Sequence, residues 1–444
     1  MIFKNFPNQF GIWMAVAMLA SACTKKAMPV TDTTSLPDNF KNIKIHEGSG
    51  FTGPCEPSIC VSPVNPNWVV AGSVLDNLYF SKDGGATWSI NRLKSSFGVY
   101  GDPVVIIDIK GTIHYAHLSN PKGRAYSSPE FLDRIVIQSS TDGVRFSDGS
   151  FPPSDQSKDH DKHWLAVDPN GNSLLMSWTE FDKYGSKEEK DRSRILFSVS
   201  QDGAKSWSPA ITLSATEGDC MDDDKTTEGA VPAAGVNGEY FVVWSFGEKI
   251  YLDISYDKGK TWLENDIEIA TQPGGWAFDI PGITRCNGMP VIKVDHSNSP
   301  SKGTLYVSWS DQRNGKDNTD VWLIHSKDKG KTWSQPARVN NDEGAHHQFF
   351  SWFDVDPITG HLYWVFYDRR NHQNNDTDVF LAWSKDGGKS IKNTKISESP
   401  FQPTKDVFFG DYNNISAYNG RVRPIWTRMD NGRLSVYTAL IDVK

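Results

Sequence analysis

Short apolar segments alternate with turn-forming residues along most of the chain, as in proteins built from β-strands. In the stretch SICVSPVNPNWVVAGSVLDNLYFSKDGGATWSINRL, an Asn-Pro-Asn turn joins two apolar runs, a third run ends at a serine, and a fourth starts at a tryptophan. Each run has the length of a strand, and Asn, Pro, Asp and Gly favour the tight turns between strands. The pattern predicts a unit of four strands. Comparable units begin near Pro103, His163, Ala230, Met289, Phe349 and Tyr412.

One turn motif, S-x-D-x-G-x-x-W, recurs in six of these units. Three copies are complete, one has Ala204 in the glycine slot, one ends on Ile391 instead of tryptophan, and STDGVRF is a shortened relative. The motif aspartates lie at positions 83, 142, 202, 257, 328 and 386, which gives successive gaps of 59, 60, 55, 71 and 58 residues. A near-constant period indicates a repeat architecture.

The chemistry of the motif favours a structural role. Its Asp and Ser can bond nearby backbone N–H groups and close a turn, while Gly supplies a positive φ angle. The tryptophans, such as Trp88, Trp262 and Trp333, are expected to be buried anchors against a neighbouring strand. We therefore interpret the motif as a hairpin turn with an apolar plug.

Seven four-stranded units predict an all-β fold, a seven-bladed β-propeller, with a six-bladed ring as the alternative. The unit at Tyr412 supplies only three strands before the chain ends. The segment Phe40–Glu47 is expected to supply the fourth by pairing with Leu434–Ile441, which would close the ring. The sequence thus predicts a single propeller domain over residues 40–444.

The N-terminal residues differ from the repeats. Lys4 is followed by an apolar run from Phe10 to Ala20, which is too short to span a membrane as a mature helix and is typical of a secretory signal. Small residues before Cys23 resemble the bacterial lipoprotein box, in which this cysteine carries lipid; an ordinary cleaved signal with a free cysteine is the alternative. The sequence predicts a lipoprotein signal peptide over residues 1–22, a flexible tether over residues 23–39, and a lipid anchor in the bacterial outer membrane.

Charge and cysteine content narrow the range of partners. The formal net charge of −8 argues against a nucleic-acid partner. Beyond Cys23 the chain has Cys55, Cys60, Cys220 and Cys286, an even number that permits disulfides in an exported protein without fixing a pairing. Cys60 lies in a strand-like segment and is expected to be a buried thiol.

The candidate site lies on the propeller face that carries the long loops. The turn motifs occupy one face, and the long connections occupy the other, where binding and catalysis usually take place. The residues that enter the innermost strands should surround the mouth of the central channel on that face. They are Glu56, Asp102, His163, Glu228, Arg285, His347 and Asp411. Such a set suggests a ligand site, although charged residues that merely cap strands in a water-filled channel are the alternative.

Further candidates lie in the long loops. SDQRNGKDNTDVWLIHS and YDRRNHQNNDTDVFLAWS are the same loop in adjacent blades, and Arg313, Arg369 and Arg370 in them either hold the loop shape or bind a carboxylate or sulfate of a sugar. The acidic loop GDCMDDDKTTEG suits a structural Ca²⁺, with a solvated loop as the alternative. Its candidate ligands are Asp219, Asp222, Asp223 and Asp224.

The turn motif resembles the Asp-box, or bacterial neuraminidase repeat, of the sialidase superfamily, and the repeats cover nearly all of residues 40–444. The resemblance implies a β-propeller and a carbohydrate substrate. The Arg-Ile-Pro motif that carries the first substrate-binding arginine of sialidases is absent; GPCEPSICVSP stands in its place. No catalytic residue is therefore transferred from the family.

Three functions fit these patterns. The favoured one is a glycoside hydrolase with catalytic carboxylates drawn from Glu56, Asp102, Glu228 and Asp411. The second is a polysaccharide lyase acting on uronic-acid polymers through His163 or His347, Tyr412 and Arg285. The third is a non-catalytic lipoprotein that binds glycan or scaffolds the envelope. In each case we expect a monomer that binds a glycan and requires no cofactor.

Overall fold

Strands are the only regular elements in the part of the chain that the structure describes. The computed structural model describes residue 36 and residues 40–49, 53–122 and 130–443. The predicted signal peptide, Cys23 and nearly all of the tether lie outside these residues. Within the described ranges, no helix is long and apolar enough to cross a membrane.

The described residues form 28 strands. In chain order they are β1 (Asn42–Glu47), β2 (Ser58–Val61), β3 (Val69–Ser73), β4 (Asn77–Ser81), β5 (Ser89–Arg92), β6 (Val104–Ile107), β7 (Ile113–Leu118), β8 (Ile135–Ser140), β9 (Asp159–Val167), β10 (Leu174–Phe181), β11 (Ser193–Ser200), β12 (Ile211–Thr212), β13 (Glu228–Ala234), β14 (Tyr240–Phe246), β15 (Lys249–Ser255), β16 (Ile267–Thr271), β17 (Val291–Val294), β18 (Leu305–Asp311), β19 (Asp320–Ser326), β20 (Ala337–Arg338), β21 (Gln348–Val355), β22 (Leu362–Asp368), β23 (Asp378–Ser384), β24 (Lys392–Lys395), β25 (Asn414–Tyr418), β26 (Arg421–Asp430), β27 (Arg433–Ala439) and β28 (Ile441–Asp442).

These strands form seven antiparallel sheets, the blades of a β-propeller. Blades 1 to 6 are β2–β5, β6–β8, β9–β12, β13–β16, β17–β20 and β21–β24, and each is a meander with its first strand innermost. Blade 7 has the order β25, β26, β27, β1, with β28 paired to β26. The innermost strands contact one another in sequence, and β25 of blade 7 contacts β2 of blade 1, so the ring is closed. The predicted seven-bladed propeller is confirmed.

The closure of the ring follows the predicted pairing. Strand β1 pairs antiparallel with β27, with Asn42 opposite Ala439 and Glu47 opposite Ser435. Ile45 of β1 is buried, and the Asn42 side-chain amide donates a 2.8 Å hydrogen bond to the carbonyl oxygen of Ile396 in blade 6. The outermost strand of the last blade therefore comes from the start of the domain and joins its two ends.

Burial within a blade explains the long apolar runs in the sequence. Because each sheet is covered on both faces by neighbouring blades, its second and third strands are buried on both sides. These strands therefore lack the alternation of apolar and polar residues seen in half-exposed strands. In blade 6, every residue of β22 and β23 is buried, whereas β24 at the rim has no buried residue.

The turn motif has the hydrogen bonds that its chemistry predicts. In blade 1, the Ser81 hydroxyl donates to Asp83 at 2.8 Å and accepts from the Gly85 N–H, and Asp83 accepts from the backbone N–H and hydroxyl of Thr87 at 2.9 and 2.6 Å. The glycine slot has positive φ in Gly85 (96°), and Ala204 adopts 60° in the same position.

The burial of the motif tryptophans differs from expectation. Trp88, Trp262 and Trp333 are only half-buried, because each indole lies at the outer rim of its blade and bonds back to the turn; Trp88 Nε1 donates to the Gly85 carbonyl oxygen at 2.9 Å. Trp207 is the one of the four motif tryptophans that is buried, with 8% of its surface exposed, and its Nε1 donates to the Ser150 hydroxyl at 3.0 Å.

Blade 2 also departs from the predicted four strands. It has three strands, and its outer edge is reduced to a single antiparallel bridge between Ile137 and Ser150. The motif here is shortened, and Pro152 and Pro153 follow the bridge closely. Proline has no backbone N–H to donate, so the ladder cannot continue.

Removing the closing strand should destabilise the whole ring. We expect deletion of residues 24–47 to lower the melting temperature by on the order of 10 °C, because β27 loses its partner and Ile45 leaves the core. Deletion of residues 24–35 alone, which keeps β1 and the core contact of Leu36, is the control and should leave the melting temperature unchanged in differential scanning calorimetry. Equal melting temperatures for the two deletions would contradict the closure.

The motif tryptophans should differ in their contribution to stability according to their burial. Trp207→Ala should lower the free energy of unfolding by about 3–5 kcal/mol, as truncation of a buried aromatic does. Trp88→Ala should cost only about 1–2 kcal/mol, because much of its ring already contacts water. Urea denaturation of both variants measures the two costs, and a larger loss for Trp88→Ala would refute this ranking.

Candidate functional site

A cavity of about 530 Å³ opens at the centre of the ring. Its walls are the segments that enter innermost strands and the loops between second and third strands, so it lies on the face away from the turn motifs. It is lined by the acidic side chains of Glu56, Asp102 and Asp161 and the basic side chains of Lys162 and Arg285, together with Tyr184. The predicted working face thus contains a cluster of acidic and basic side chains around this opening.

Backbone geometry at the entry to the innermost strands aims these side chains inward. Glu56, Asp102 and Lys162 have φ angles of 52°, 46° and 50°. This left-handed conformation is uncommon for residues other than glycine, and it recurs where surrounding structure holds a functional side chain. Gly410 makes room for Glu56, because a Cβ atom at Gly410 would lie 2.9 Å from the Glu56 Cγ atom.

Lys162 joins three blades at the centre of the site. Its ammonium lies 3.2 Å from an Asp102 carboxylate oxygen and 2.8 Å from an Asp411 carboxylate oxygen. Lys162 and Asp411 are both buried, with 5% and 1% of their side chains exposed. Because an unpaired buried charge is very costly, these ion pairs are what allows the ammonium to remain in the centre of the protein.

Arg285 forms a second bridge across the cavity. Its guanidinium binds both carboxylate oxygens of Asp411, through Nε at 3.0 Å and through Nη2. Nη1 binds Asp222 at 2.5 Å, and the Tyr184 hydroxyl donates to the same Asp222 oxygen at 2.7 Å. The positive charge of Arg285 is therefore compensated by two carboxylates.

These contacts set the protonation of the paired groups. Burial alone would raise the pKa of Asp411, but Arg285 and Lys162 outweigh burial and hold that pKa well below its usual range. Burial likewise opposes the charge on Lys162, but Asp102 and Asp411 raise the pKa of its ammonium. Asp411 and Lys162 therefore stay ionised.

Glu56 and Asp161 behave in the opposite way. Burial, reinforced by the charges of Asp102 and Asp411, raises the pKa of Glu56 well above its usual value. Among the described residues, none donates a hydrogen bond to the Glu56 carboxyl group that would offset this. Burial raises the pKa of Asp161 to about 7, although the nearby Lys162 charge acts against it. The cavity thus places Glu56, a carboxyl group with a raised pKa, in one network with the ionised Asp411, and acid–base chemistry requires such a difference between carboxyl groups.

The rest of the cavity wall is apolar. Val74, Leu118, Phe131 and Leu132 line it, and Phe408 lies at its rim with 38% of its surface exposed. An apolar wall with a few convergent polar groups is the usual composition of a small-ligand site.

The structure brings some of the predicted ring residues together and separates others. Glu56, Asp102 and Arg285 line the cavity, and Asp411 lies directly behind it, bound to Lys162 and Arg285. Glu228 is fully buried outside the lining, where it accepts a 3.3 Å hydrogen bond from the Thr179 hydroxyl.

The predicted histidines and Tyr412 do not line the cavity. His163 is enclosed with neither ring nitrogen hydrogen-bonded within the described structure, and burial lowers its pKa to about 4. Tyr412 packs edge-on against Trp164 at 5.5 Å between ring centroids. His347 lies in a separate cavity.

The loop arginines divide into two kinds. Arg313 binds Asp311 through Nε at 3.0 Å and Nη2 at 2.6 Å, and Arg370 binds Asp368 in the same way at 2.8 and 2.6 Å. These two arginines hold the shape of their loops. Arg369 has no carboxylate in an ion pair with it among the described residues, and its Nη2 has no hydrogen-bond partner.

The four aspartates of the acidic loop face different partners. Asp222 binds Arg285, Asp219 accepts from the Thr226 hydroxyl at 2.7 Å, and Asp224 accepts from the Ala277 N–H at 2.9 Å. In the described ranges, no group of three or more His, Cys, Asp or Glu side chains is placed to hold a metal ion. Calcium binding by this loop stays a prediction. Cys55, Cys60, Cys220 and Cys286 are free thiols; Cys60 is half-buried and the others are buried.

Sequence reasoning missed Asp161, Lys162 and Tyr184. The pairing of β9 with β10 is shifted by a bulge between Ser177 and Thr179, so the inward position falls on Lys162, one residue before His163. A bulge changes which side chain faces the channel without leaving a clear pattern in the sequence. Lys162 also follows two aspartates and a histidine in DHDKHW, a local density of charge that could have drawn attention to it.

Comparisons with known proteins extend the fold assignment. No family model and no curated protein matches the chain. Among solved structures, an ulvan lyase, a polysaccharide lyase bound to -[GlcA(1-4)Rha3S]-, is 11% identical with a TM-score of 0.53, and the match covers 90% of this chain and 96% of that chain. Trypanosoma rangeli sialidase is 16% identical with a TM-score of 0.47 (80% and 56% covered), and Penicillium chrysogenum α-L-arabinanase complexed with arabinobiose is 18% identical with a TM-score of 0.46 (82% and 100% covered). The likeness to the ulvan lyase is one of fold, and it agrees with the β-propeller.

The raised pKa of Asp161 should appear in the pH dependence of stability. Burial raises this pKa from 3.8 to about 7, so the folded protein holds the proton more tightly than the unfolded chain. The stabilisation from this group is therefore present below pH 3.8 and is lost as the pH rises through about 7. Asp161→Asn should lose less stability than the wild type between pH 4 and pH 8 in urea denaturation.

A matched control is Asp202→Asn. Hydrogen bonds from Ser206 lower the pKa of Asp202 to about 2, so this group does not titrate in the same window. Its variant should keep the wild-type pH dependence. If Asp161→Asn also kept it, Asp161 would have an ordinary pKa.

Proposed function

We propose that this protein is an exported glycoside hydrolase that cleaves an extracellular glycan in the central cavity. The proposal rests on two carboxyl groups in one cavity, Asp102, which is ion-paired with Lys162, and Glu56, whose pKa is raised well above its usual value by burial. Glycoside hydrolysis requires one carboxylic acid and one carboxylate on either side of the scissile bond. The fold supports a glycan substrate, because a polysaccharide lyase is among the solved structures that share it.

In the proposed reaction, Glu56 donates its proton to the glycosidic oxygen. Asp102 then acts on the opposite side of the sugar ring, either by activating water or by attacking the anomeric carbon. Lys162 fixes the Asp102 carboxylate through the 3.2 Å contact and compensates its charge before substrate binds. The apolar wall formed by Phe131, Leu132 and Phe408 contacts the C–H faces of the sugar rings and excludes water.

The contacts of the site favour hydrolysis over elimination. A lyase needs a cation to neutralise the uronate carboxylate and a base to remove the α-proton. Arg285 is already bound to Asp411 and Asp222, and His163 is enclosed outside the cavity lining. Tyr184 donates to Asp222, and burial raises its pKa further from the neutral range, so it is a poor base.

The location follows from the sequence expectations. We propose that a signal peptide over residues 1–22 exports the chain and that lipid on Cys23 holds it at the outer membrane. The propeller would then act as a monomer at the end of its tether, and the reaction requires no cofactor.

The proposal is tested by incubating the propeller domain with a polysaccharide panel and recording reducing ends together with ultraviolet absorbance from unsaturated uronates. Reducing ends without absorbance support the hydrolase, both signals together indicate a lyase, and neither signal on any substrate favours a non-catalytic glycan-binding protein. On a substrate that is cleaved, Glu56→Gln and Asp102→Asn should each reduce kcat by at least about a hundredfold, because each removes proton transfer or nucleophilic assistance.

Glu228→Gln is the matched variant for this test. Glu228 is as buried as Glu56, and burial also raises its pKa, but it does not line the cavity. We expect Glu228→Gln to retain most of the wild-type kcat. A loss of turnover on Glu228→Gln with none on Glu56→Gln would contradict the assignment.

A further inference from the structure

A second cavity lies beside the central one on the same face. Its volume is about 580 Å³, and its wall includes Gln312, Lys316, His347 and Lys405. Asp279 and Asp317 also line it, so the two lysines and two aspartates balance each other. None of these four exposed side chains forms an ion pair within the described part of the chain.

The two cavities share a narrow ridge. Pro281 and Gly282 line the second cavity, whereas Thr284 and Arg285, two residues further along, line the central one. The Thr284 hydroxyl donates a 3.1 Å hydrogen bond to the carbonyl oxygen of Lys405, which fixes the ridge against the next loop. A polymer that occupies the central cavity and extends across this ridge enters the second cavity.

A buried guanidinium with no ion pair among the described residues lies against the second cavity. Arg369 is only 4% exposed, its Nη1 donates to the carbonyl oxygen of Pro281 at 2.7 Å, and its backbone N–H donates to the carbonyl oxygen of His347. Both acceptor residues line the cavity. The Nη2 group has no partner within the described structure. A buried guanidinium without a carboxylate is costly to maintain, and an anion nearby would offset that cost.

The repeated loop shows which part of Arg369 the fold does not need. Arg369 occupies the place that Gln312 occupies in the same loop of blade 5, DRRN against DQRN. Arg369 Nε donates to the Thr377 hydroxyl at 3.1 Å, and Gln312 Nε2 donates to the equivalent Thr319 hydroxyl at 3.1 Å. A glutamine therefore suffices for the loop contact, and the positive charge of Arg369 is additional.

His347 presents a donor to the same cavity. The Thr319 hydroxyl accepts from Gln312 and lies 3.1 Å from His347 Nδ1, so its own proton is directed to that nitrogen. The proton of the neutral ring is then on Nε2. Lys316, Lys405 and this N–H group together form a set of donors in front of the Arg369 charge.

We propose that the second cavity is a subsite for an acidic group, a carboxylate or a sulfate, on the glycan chain that the central cavity cleaves. This inference rests on the proposed function, and it adds that the substrate is an anionic polysaccharide at least several sugars long. Lys316 and Lys405 contact the acidic group, His347 donates to it, and the Arg369 charge attracts it from behind.

The test is isothermal titration calorimetry with paired probes. A galacturonate hexamer and its methyl ester differ only in carboxylate charge, and a sulfated dextran hexamer and the unsulfated hexamer differ only in sulfate. The wild type should bind at least one acidic probe about tenfold more tightly than its neutral counterpart, and the pair that shows the difference identifies carboxylate or sulfate. Equal binding of both members of each pair, or no binding of either acidic probe, would overturn the subsite.

Arg369→Gln locates the effect. This substitution introduces the residue found in the same loop of blade 5, so the fold should be kept. It should lower the affinity for the acidic probe about tenfold and leave the affinity for the neutral probe unchanged. The double variant Lys316→Ala/Lys405→Ala should likewise bind the acidic probe more weakly than the wild type. Lys205→Gln, which removes one exposed charge on the turn-motif face, is the control and should bind as the wild type does. Unchanged affinity in Arg369→Gln would place the acidic group elsewhere.

Binding and turnover separate this inference from the proposed function. Glu56→Gln should keep the preference for the acidic probe although it cannot cleave. A preference that depends on Arg369, in a protein that hydrolyses no glycan, would refute the hydrolase and leave the subsite standing. Hydrolysis of a neutral glycan with no preference for acidic probes would refute the subsite alone.

Discussion

The ion pairs of Lys162 at the centre of the ring are the interaction on which the site depends. Asp102 arrives from blade 2, Lys162 from blade 3 and Asp411 from blade 7, and Arg285 from the segment before blade 5 binds Asp411 as well. The charged side chains of Lys162, Asp102 and Asp411 are buried or nearly so, that of Arg285 is one-third exposed, and the buried charges would be costly without their partners. The network forms only when the ring is closed, because its members are up to 309 positions apart along the chain, from Asp102 to Asp411. Closure by β1 and the chemistry of the cavity are therefore linked.

The same network explains how neighbouring carboxyl groups come to differ. Asp411 forms ion pairs with Lys162 and Arg285 and stays ionised. Burial raises the pKa of Glu56, and the negative charges of Asp102 and Asp411 raise it further. Glu56 has no hydrogen-bond donor of its own among the described residues, so burial is not offset. Glu56 can thus serve as a proton donor because it has no hydrogen-bond donor or cation bound to it in the described part of the chain, whereas Asp411 is bound by two cations. The propeller supplies this contrast by bringing separate blades to one opening.

Much of the fold could be predicted from the sequence, because its signals are local. The turn motif sets the period, fully apolar runs such as β22 mark strands buried on both faces, and the incomplete last unit implies that β1 pairs with β27. The site was less predictable. Glu56, Asp102, Arg285 and Asp411 followed from their positions at strand entries, but Lys162 replaced His163 because a bulge shifts β9 by one residue. In blade 6 the corresponding strand-entry position, with a positive φ of 48°, is Phe350, and His347, three residues earlier, lines a separate cavity. The half-burial of Trp88 and the lost outer strand of blade 2 depend on contacts between blades, which no single repeat encodes.

Burial raises the pKa of the Glu56 carboxyl group well above its usual value, while Asp411 and Lys162 in the same network stay charged. The most direct measurement is the titration of the Glu56 carboxyl carbon by ¹³C NMR on protein labelled at glutamate, with the signal assigned by its loss in Glu56→Gln. We expect this carboxyl group to titrate at a pH well above its usual range, and to titrate at lower pH when Lys162 is retained than when Lys162 is replaced by methionine. Titration of Glu56 near the value of about 4.3 found in unstructured peptides would contradict the account.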